Sequence, residues 1–403
     1  MSTSSPVAAL EIGTGRITLA VAERQPSGRL KITGVKSLES SGVRKSRITG
    51  LNNVKKTIQA VVRDLQDAAS VDISNAWLAV SGPGVETKPL KGAWRTDMRK
   101  ITDDDVAAVE ENATENNGLD GSSRMVLHNL SQDFVLDGRT GIANPVGMTG
   151  QQLERRALCV HYALAQFDDA REAAAASHVE IPNAAFSGCC AARAVLGERE
   201  RQDGVLVIDL GAGSTSYIAF TCGYVAAAGS IAAGGDHVTA DLATAFGITR
   251  KQAEGLKIAE GCAVLRSESA GRRISIPSTT PGFQARSVSA RAVETVVNAR
   301  MDEIFRMVQD RLEASGPTTS LLAAGCVLTG GGAAMPRVCE LAASTLGLPA
   351  RIGEPVNVDG LENDPFPAAL AVPAGLALLA ADAEEAAAGE RGGFMSMFKR
   401  IFS

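Results

Sequence analysis

Residues 203–220 read DGVLVIDLGAGSTSYIAF. An apolar run ends on Asp209, the turn Gly211-Ala212-Gly213-Ser214 follows, and a second strand-like run leaves it. The pattern predicts strand, tight glycine turn, strand. Glycine lets backbone N–H groups approach an anion with no Cβ in the way. A carboxylate at the end of the first strand suits a hydrated Mg²⁺.

The same arrangement occurs about 200 residues earlier. Residues 7–22, VAALEIGTGRITLAVA, place Glu11 before the turn Gly13-Thr14-Gly15. Downstream, AAGCVLTGGGAAMPRV (323–338) predicts a buried strand, three glycines (Gly330, Gly331, Gly332) and a helix start at Pro336, and such a start favours negative charge or a close ligand. Each turn alone also fits a plain bend, and none matches a P-loop or Rossmann fingerprint. Their order suggests two related lobes closing on one nucleotide.

Between these marks the chain alternates. Leu51, Val54, Ile58, Val61, Val62 and Leu65 have helical spacing, and NAWLAVSGPG (75–84) reads as a buried strand stopped by Gly-Pro-Gly. Residues 85–176 look like a separate piece: a helix opening at Thr102 with acidic first-turn residues, then a strand closing on Asp137-Gly138. LERRALCVHYALA (153–165) fits strand or helix. After 203 come a Gly-Gly turn with a helix opening near Asp236, a helix over 249–261, a hairpin within 268–284 and an amphipathic helix over 290–314. AALAVPAGLALLA (368–380) reads as a closing apolar helix, and the Ala/Glu/Gly-rich stretch from Asp382 as a flexible tether.

Composition narrows the function classes. The 403 residues carry a net charge of −5, which argues against nucleic acid as a partner. No continuous apolar run reaches about 18 residues, so no transmembrane helix is expected, and the N-terminus lacks the pattern of a signal peptide. The 7 cysteines form no C-x-x-C and read as reduced thiols. The 4 histidines have no metal-ligand spacing. Aromatic residues are scarce, yet Phe394, Phe398 and Phe402 lie in the last ten positions.

The order of the glycine turns resembles the actin-like nucleotide-binding superfamily. Within it the chain resembles the FtsA family of bacterial cell-division proteins over essentially its whole length. LHNLSQDFVLDGRTGIANPVGMTGQQLE (127–154) resembles that family's inserted subdomain, and GGDHVTADLATAFGITRKQAEGLK (234–257) its second-lobe hallmark segment. The terminal segment resembles its membrane anchor. The implied fold is α/β and two-lobed, actin-like, built of duplicated ribonuclease-H-like domains, with the inserted subdomain and a C-terminal amphipathic helix. The resemblance divides the chain into a first-lobe core (1–84), the insertion (85–176), a return to the first lobe (177–202) and a second-lobe core (203–235 and 318–365). A smaller subdomain (236–317), a closing helix (366–381), a linker (382–392) and the anchor (393–403) complete it.

The resemblance also implies roles. Gly13, Thr14 and Gly15 would form one phosphate loop, with Glu11 at the metal end. Asp209, Gly211, Gly213 and Ser214 would form the other, Glu11 and Asp209 holding Mg²⁺ through water. Glu254 and Lys257 would reach ribose and adenine, and Gly331, Gly332 and Met335 would border the adenine of ATP. By spacing alone Glu254 and Lys257 also fit a solvated helix pair. The chain departs from the superfamily's D-x-G-G-G-T-x-D pattern at Ala212 and Ser216. The position that often brings a Glu or Gln to the attacking water falls on Ser187, and a serine is no effective general base unaided. Binding with slow or negligible hydrolysis is therefore expected.

On a helical wheel Phe394, Met395, Phe398, Ile401 and Phe402 share one face, with Lys399 and Arg400 pointing away. That is the pattern of an interfacial helix on an anionic lipid surface. The family further implies self-association into filaments, capture of the C-terminal peptide of FtsZ on the smaller subdomain, and recruitment of later division proteins at the cytoplasmic face of the inner membrane. Arg250, Lys251, Arg286 and Arg300 are the candidate basic residues for that acidic peptide. Two other readings compete: a pilus-assembly relative, and a sugar or acid kinase of the same fold. The kinase would need a carboxylate base near 183–190, which the sequence does not offer.

Overall fold

The computed structural model describes residues 6–69, 71–115, 121–277, 285–316 and 319–389. The chain opens with β1 (Val7–Ile12), β2 (Arg16–Arg24) and β3 (Leu30–Glu39), then the small hairpin β4 (Val43–Arg44) and β5 (Arg47–Ile48). Helix α1 (Leu51–Ala69) buries Val54, Ile58, Val61, Val62 and Leu65 on the stripe its spacing predicts. β6 (Trp77–Val80) stops at Gly82 and Pro83.

The insertion follows directly: β7 (Val85–Lys100), α2 (Asp103–Glu115), β8 (Arg124–Leu136), β9 (Arg139–Ile142) and β10 (Thr149–Ala163), forming a four-stranded sheet in the order β7-β10-β8-β9. The segment that fitted strand or helix is strand up to Ala163 and helix beyond it. That helix, α3 (Leu164–Ala175), was grouped by sequence with the insertion. It packs on α1, with Phe167, Ala170, Ala173 and Ala174 in the first lobe's core. β11 (Ala184–Phe186) then joins the first sheet and runs straight into α4 (Ser187–Val195), followed by α5 (Glu198–Asp203).

The second lobe comprises β12 (Val205–Leu210), β13 (Thr215–Thr221), β14 (Tyr224–Ile231), α6 (Gly235–Phe246), α7 (Arg250–Glu260), β15 (Arg273–Ile276), β16 (Arg286–Ser289), α8 (Ala290–Ala314), β17 (Cys326–Thr329), α9 (Val338–Leu346) and β18 (Ala350–Ile352). The hairpin expected within 268–284 pairs β15 with β16, so its second strand lies later, at 286–289. β19 (Val358–Asp359) returns to the edge of β3, and α10 (Ala371–Gly389) closes the first lobe.

The two large sheets repeat one topology. The first runs β11-β6-β1-β2-β3-β19 and the second β14-β13-β12-β17-β18. In each, a central strand has an antiparallel hairpin partner on one side and a parallel strand on the other: β1 with β2 and β6, β12 with β13 and β17. That repeat is the physical form of the duplicated acidic hairpin in the sequence.

Helix α10 is the closing apolar helix that the sequence predicts, and it differs from expectation only in its length. The stretch Pro367–Ala386 is long and apolar enough to cross a membrane by composition, yet its apolar 18-residue window is 78% buried inside the protein. It packs on α4, β1, β2 and β6, and is a core helix. It continues to Gly389, through the first eight residues of the expected tether. Asp382 accepts from Arg24 and Arg193, and Glu385 pairs with Arg24, which ties down this last part of the helix. The anchor residues Phe394, Met395, Phe398, Lys399, Arg400, Ile401 and Phe402 lie outside the described residues.

Candidate functional site

The two hairpins meet turn to turn. In β1–β2, Gly13 N–H donates to the Arg16 carbonyl at 2.9 Å; in β12–β13, Gly211 N–H donates to the Ser214 carbonyl at 3.0 Å. A Cβ on either glycine would stand 2.7 Å from the carbonyl it serves, so both turns require glycine. The turns also abut each other. A Cβ on Gly15 would lie 2.9 Å from the Ala212 methyl, and one on Gly213 would lie 2.2 Å from Thr14 Oγ1. The register is matched too: Glu11 sits between Thr18 and Ala79, and Asp209 between Ser216 and Thr329.

Helix α6 holds the second turn. Gly235 N–H donates to the Gly211 carbonyl at 3.0 Å and Asp236 N–H to the Ala212 carbonyl at 2.8 Å. On its neighbour α7, Lys257 Nζ donates to Glu254 Oε2 at 2.7 Å, Thr239 Oγ1 at 3.0 Å and the Gly235 carbonyl at 3.3 Å. Glu254 and Lys257 are thus tied to the second glycine turn through α6, rather than standing as a solvated pair. The third glycine turn closes on the end of β12. Gly330 has φ +80°, and a Cβ there would meet Asp209 Oδ1 at 2.3 Å. Gly331 faces open space, whereas a Cβ on Gly332 would meet that of Leu210 at 2.8 Å. Met335 places Sδ within 3.2 Å of where a Cβ of Gly261 would stand, just past α7.

The two carboxylates are the electrostatic centre. Burial raises both Glu11 and Asp209 well above the usual carboxylate range, and the charge of Asp209 adds to the rise at Glu11. Among the described residues neither has a basic partner, and no group of three or more His, Cys, Asp or Glu side chains is placed to hold a metal. Two acidic oxygen donors in a polar, hydroxyl-lined seam fit a Mg²⁺ ion that keeps most of its waters.

The seam between the lobes is lined by serines, of which Ser214, Ser187 and Ser216 are named from the sequence and Ser46, Ser81 and Ser230 are not. The β4–β5 turn puts Lys45 (φ +48°) and Ser46 (φ +58°) in the left-handed region. Ser46 N–H donates to Thr14 Oγ1 at 2.9 Å, and Ser46 Oγ lies 2.8 Å from Ser214 Oγ, so one turn touches both glycine loops. Ser81 joins Ser46 at 3.1 Å, and Gly82 N–H donates to Ser230 Oγ at 2.9 Å. Ser187 begins α4 and lies 2.8 Å from Ser216, which in turn lies 3.2 Å from Ser230. No carboxylate joins this group of hydroxyls among the described residues.

The four basic candidates of the smaller subdomain differ in their partners. Arg300 is held by Asp241 and Glu303, Arg250 lies 3.5 Å from Asp236, and Arg286 donates to the Phe246 carbonyl at 2.9 Å. Three of the four therefore brace α6, and Arg250, Lys251 and Arg286 are all exposed.

Comparison with known proteins gives the following. The family model described as "Cell division protein FtsA" matches residues 206–371, and the one described as "SHS2 domain inserted in FTSA" matches residues 82–161. The cell division protein FtsA of Pseudomonas aeruginosa is 31% identical over 355 residues, 88% of this chain and 84% of its own length. That of Escherichia coli K12 is 31% identical over 365 residues, covering 88% and 85%. Among solved structures, a chain of the PilM-PilN type IV pilus biogenesis complex superposes with TM-score 0.64 at 16% identity, over 92% of this chain and 97% of that one. MreB5 of Spiroplasma citri bound to ADP superposes with TM-score 0.56 at 13% identity, covering 96% and 99%.

Proposed function

The chain belongs to the FtsA family of cell-division proteins, with an actin-like fold, and from that premise we propose an ATP-binding, filament-forming scaffold that tethers FtsZ filaments to the cytoplasmic membrane at the septum. The observation that carries the nucleotide reading is the abutting of two matched hairpins, with Glu11 and Asp209 at the ends of their central strands. Solved MreB5 chains of the same fold hold ADP and AMPPNP.

In this reading the N–H groups of Gly13–Gly15 and Gly211–Ser214 cradle the phosphates. Thr14 and Ser214, now engaged by Ser46, exchange that contact for the ligand. Glu254 and Lys257 reach ribose and adenine, and Gly331, Gly332 and Met335 border the base. Mg²⁺, held through water by Glu11 and Asp209, supplies positive charge against the phosphates. With Ser187 and Ser216 where a base would be needed, the cleft favours holding ATP over hydrolysing it.

The remaining parts follow from family membership and sequence. The FtsZ C-terminal peptide would dock on the smaller subdomain at the exposed Arg250, Lys251 and Arg286, with Arg300 bracing α6 beside them. The amphipathic segment 393–403 would lie in an anionic membrane surface, self-association would multiply those anchors, and later division proteins would gather on the filament. The pilus neighbour shares the fold at 16% identity, against 31% for the division relatives.

Two measurements test the proposal. Equilibrium dialysis of purified protein should show Mg·ATP binding that weakens at least roughly tenfold in Asp209→Asn, the loss of about 1.4 kcal/mol. A fluorescently tagged copy should form a mid-cell band that is lost without residues 393–403. A diffuse signal from the full-length protein opposes the scaffold reading.

A further inference from the structure

Strand β8 carries two polar side chains, four residues apart, that leave the insertion and reach different lobes. His128 is 2% exposed, and its Nε2 accepts the Phe186 N–H at 2.9 Å. Phe186 is the residue before α4, and Ser187 after it bonds to Ser216 of the second lobe. Because Nε2 accepts, the ring proton sits on Nδ1, which has no partner. Burial pushes the imidazole down to about 3, so it stays neutral. A leucine would avoid the buried unpaired N–H but would strand the N–H of Phe186.

Gln132 contacts the second lobe instead. Its Nε2 donates to the Val225 carbonyl at 3.2 Å, on β14 of the second lobe. The backbone there is held from behind by the buried Arg155, whose Nη1 donates to the Gln132 carbonyl at 3.2 Å. The apolar residues of β8 beside these contacts, Leu127 and Leu130, share one core with Phe186 of the first lobe and Val225 of the second. Yet the chain enters and leaves the insertion only from the first lobe, at 84–85 and 163–164.

A piece linked covalently to one lobe and docked on both cannot ignore movement between them. We propose that His128 and Gln132 couple the insertion to the inter-lobe cleft: His128 fixes β8 to the start of α4, and Gln132 makes β8 follow β14. Opening or closing of the lobes then tilts the insertion. By reciprocity, whatever binds the insertion biases the cleft by the same factor. Both are positioning residues, and neither touches the glycine turns. That nucleotide is the natural driver of lobe movement rests on the proposed function; the coupling itself does not.

Double electron–electron resonance on the full-length chain tests this, in a background with Cys222→Ser and Cys339→Ser. Labels at the exposed positions Thr140 (insertion), Lys56 (first lobe) and Glu313 (second lobe) report the three distances. Without nucleotide, Gln132→Ala should broaden the Thr140–Glu313 distribution about twofold and leave Thr140–Lys56 unchanged. His128→Leu should broaden Thr140–Lys56, and His128→Gln, which restores an acceptor, should return it to the wild-type width. A Thr140–Glu313 distribution in Gln132→Ala identical to wild type overturns the coupling, even if His128→Leu fails to fold. Mg·ATP that neither binds nor moves Lys56–Glu313 counts against the nucleotide reading, while the ligand-free widths still decide the coupling.

Discussion

Ser187, the first residue of α4, and Ser216, on β13, lie 2.8 Å apart with their hydroxyls facing across the floor of the inter-lobe seam. Both are buried, and Ser216 passes the contact on to Ser230. Among the described residues neither hydroxyl hydrogen-bonds to a carboxylate or imidazole that could take its proton. Purified protein should therefore hydrolyse ATP well below roughly one turnover per second, and Ser187→Ala should change that rate by less than about tenfold. Removing a true general base costs about 10²–10⁴. A steady-state rate of several per second in a phosphate-release assay would refute this account.

Asp105 is the hub of the insertion. Its carboxylate accepts from Arg99, from Trp94 Nε1 at 3.1 Å and from both the N–H and hydroxyl of Thr102 at 2.9 Å, which caps α2 against β7. The Arg99 hydrogen bond, outweighing burial and joined by the Thr102 and Trp94 bonds, holds this carboxyl well below its ordinary value of 3.8. Because the folded-state value is depressed, the stabilisation is fully present above the ordinary value. It is lost as pH falls through and below it. Trp94 fluorescence should report opening of the β7–α2 contact on acidification below about pH 4, before the lobes unfold. Asp105→Ala should abolish that acid transition and cost roughly 1–3 kcal/mol at neutral pH, read by urea denaturation.

Two helical glycines should respond to alanine with opposite sign. A Cβ on Gly375 of α10 would stand 1.7 Å from the Cys190 carbonyl of α4, a backbone contact with nothing to give way. Gly375→Ala should destabilise by about 1–3 kcal/mol or more. A Cβ on Gly255 of α7 meets nothing within 4 Å, so Gly255→Ala should stabilise by roughly 0.5–1 kcal/mol through helix propensity. Thermal melts of the two variants check both signs.

What was legible in the sequence follows from which forces act locally. The paired hairpins were visible because a glycine turn after a carboxylate is a local demand: Gly13 and Gly211 each sit where a side chain would strike a carbonyl three residues on. β10 was ambiguous because Cys159 and Val160 are both fully buried, which erases the alternation that marks a strand. The serine seam as a whole had no local signal, although Ser187, Ser214 and Ser216 were each marked by the motifs. Ser46, Ser81, Ser214 and Ser230 come from four separate turns or strands and meet only when the lobes do. The tether was misjudged because an Ala/Glu-rich stretch is as good a helix as a linker. What decides it is Arg24, 358 residues before its partner Asp382.

That fixed helix end bears on the last prediction, the membrane anchor. With α10 pinned at Asp382 and Glu385 by Arg24 and Arg193, the sequence beyond 389 departs from a defined place on the first lobe. Five apolar side chains of the 393–403 segment, each contributing roughly 1.5–3 kcal/mol on full burial, leave only a few kcal/mol after partial insertion and helix formation. One copy should therefore bind reversibly, and a filament firmly, because later tails meet the surface at high effective concentration. Full-length protein should co-sediment with anionic vesicles more strongly as its concentration rises through the assembly range. Binding should weaken with salt and on neutral lipid, since Lys399 and Arg400 supply the electrostatic part. Deleting residues 393–403 should abolish co-sedimentation, and unchanged binding by the truncated protein would place the membrane contact elsewhere on the molecule.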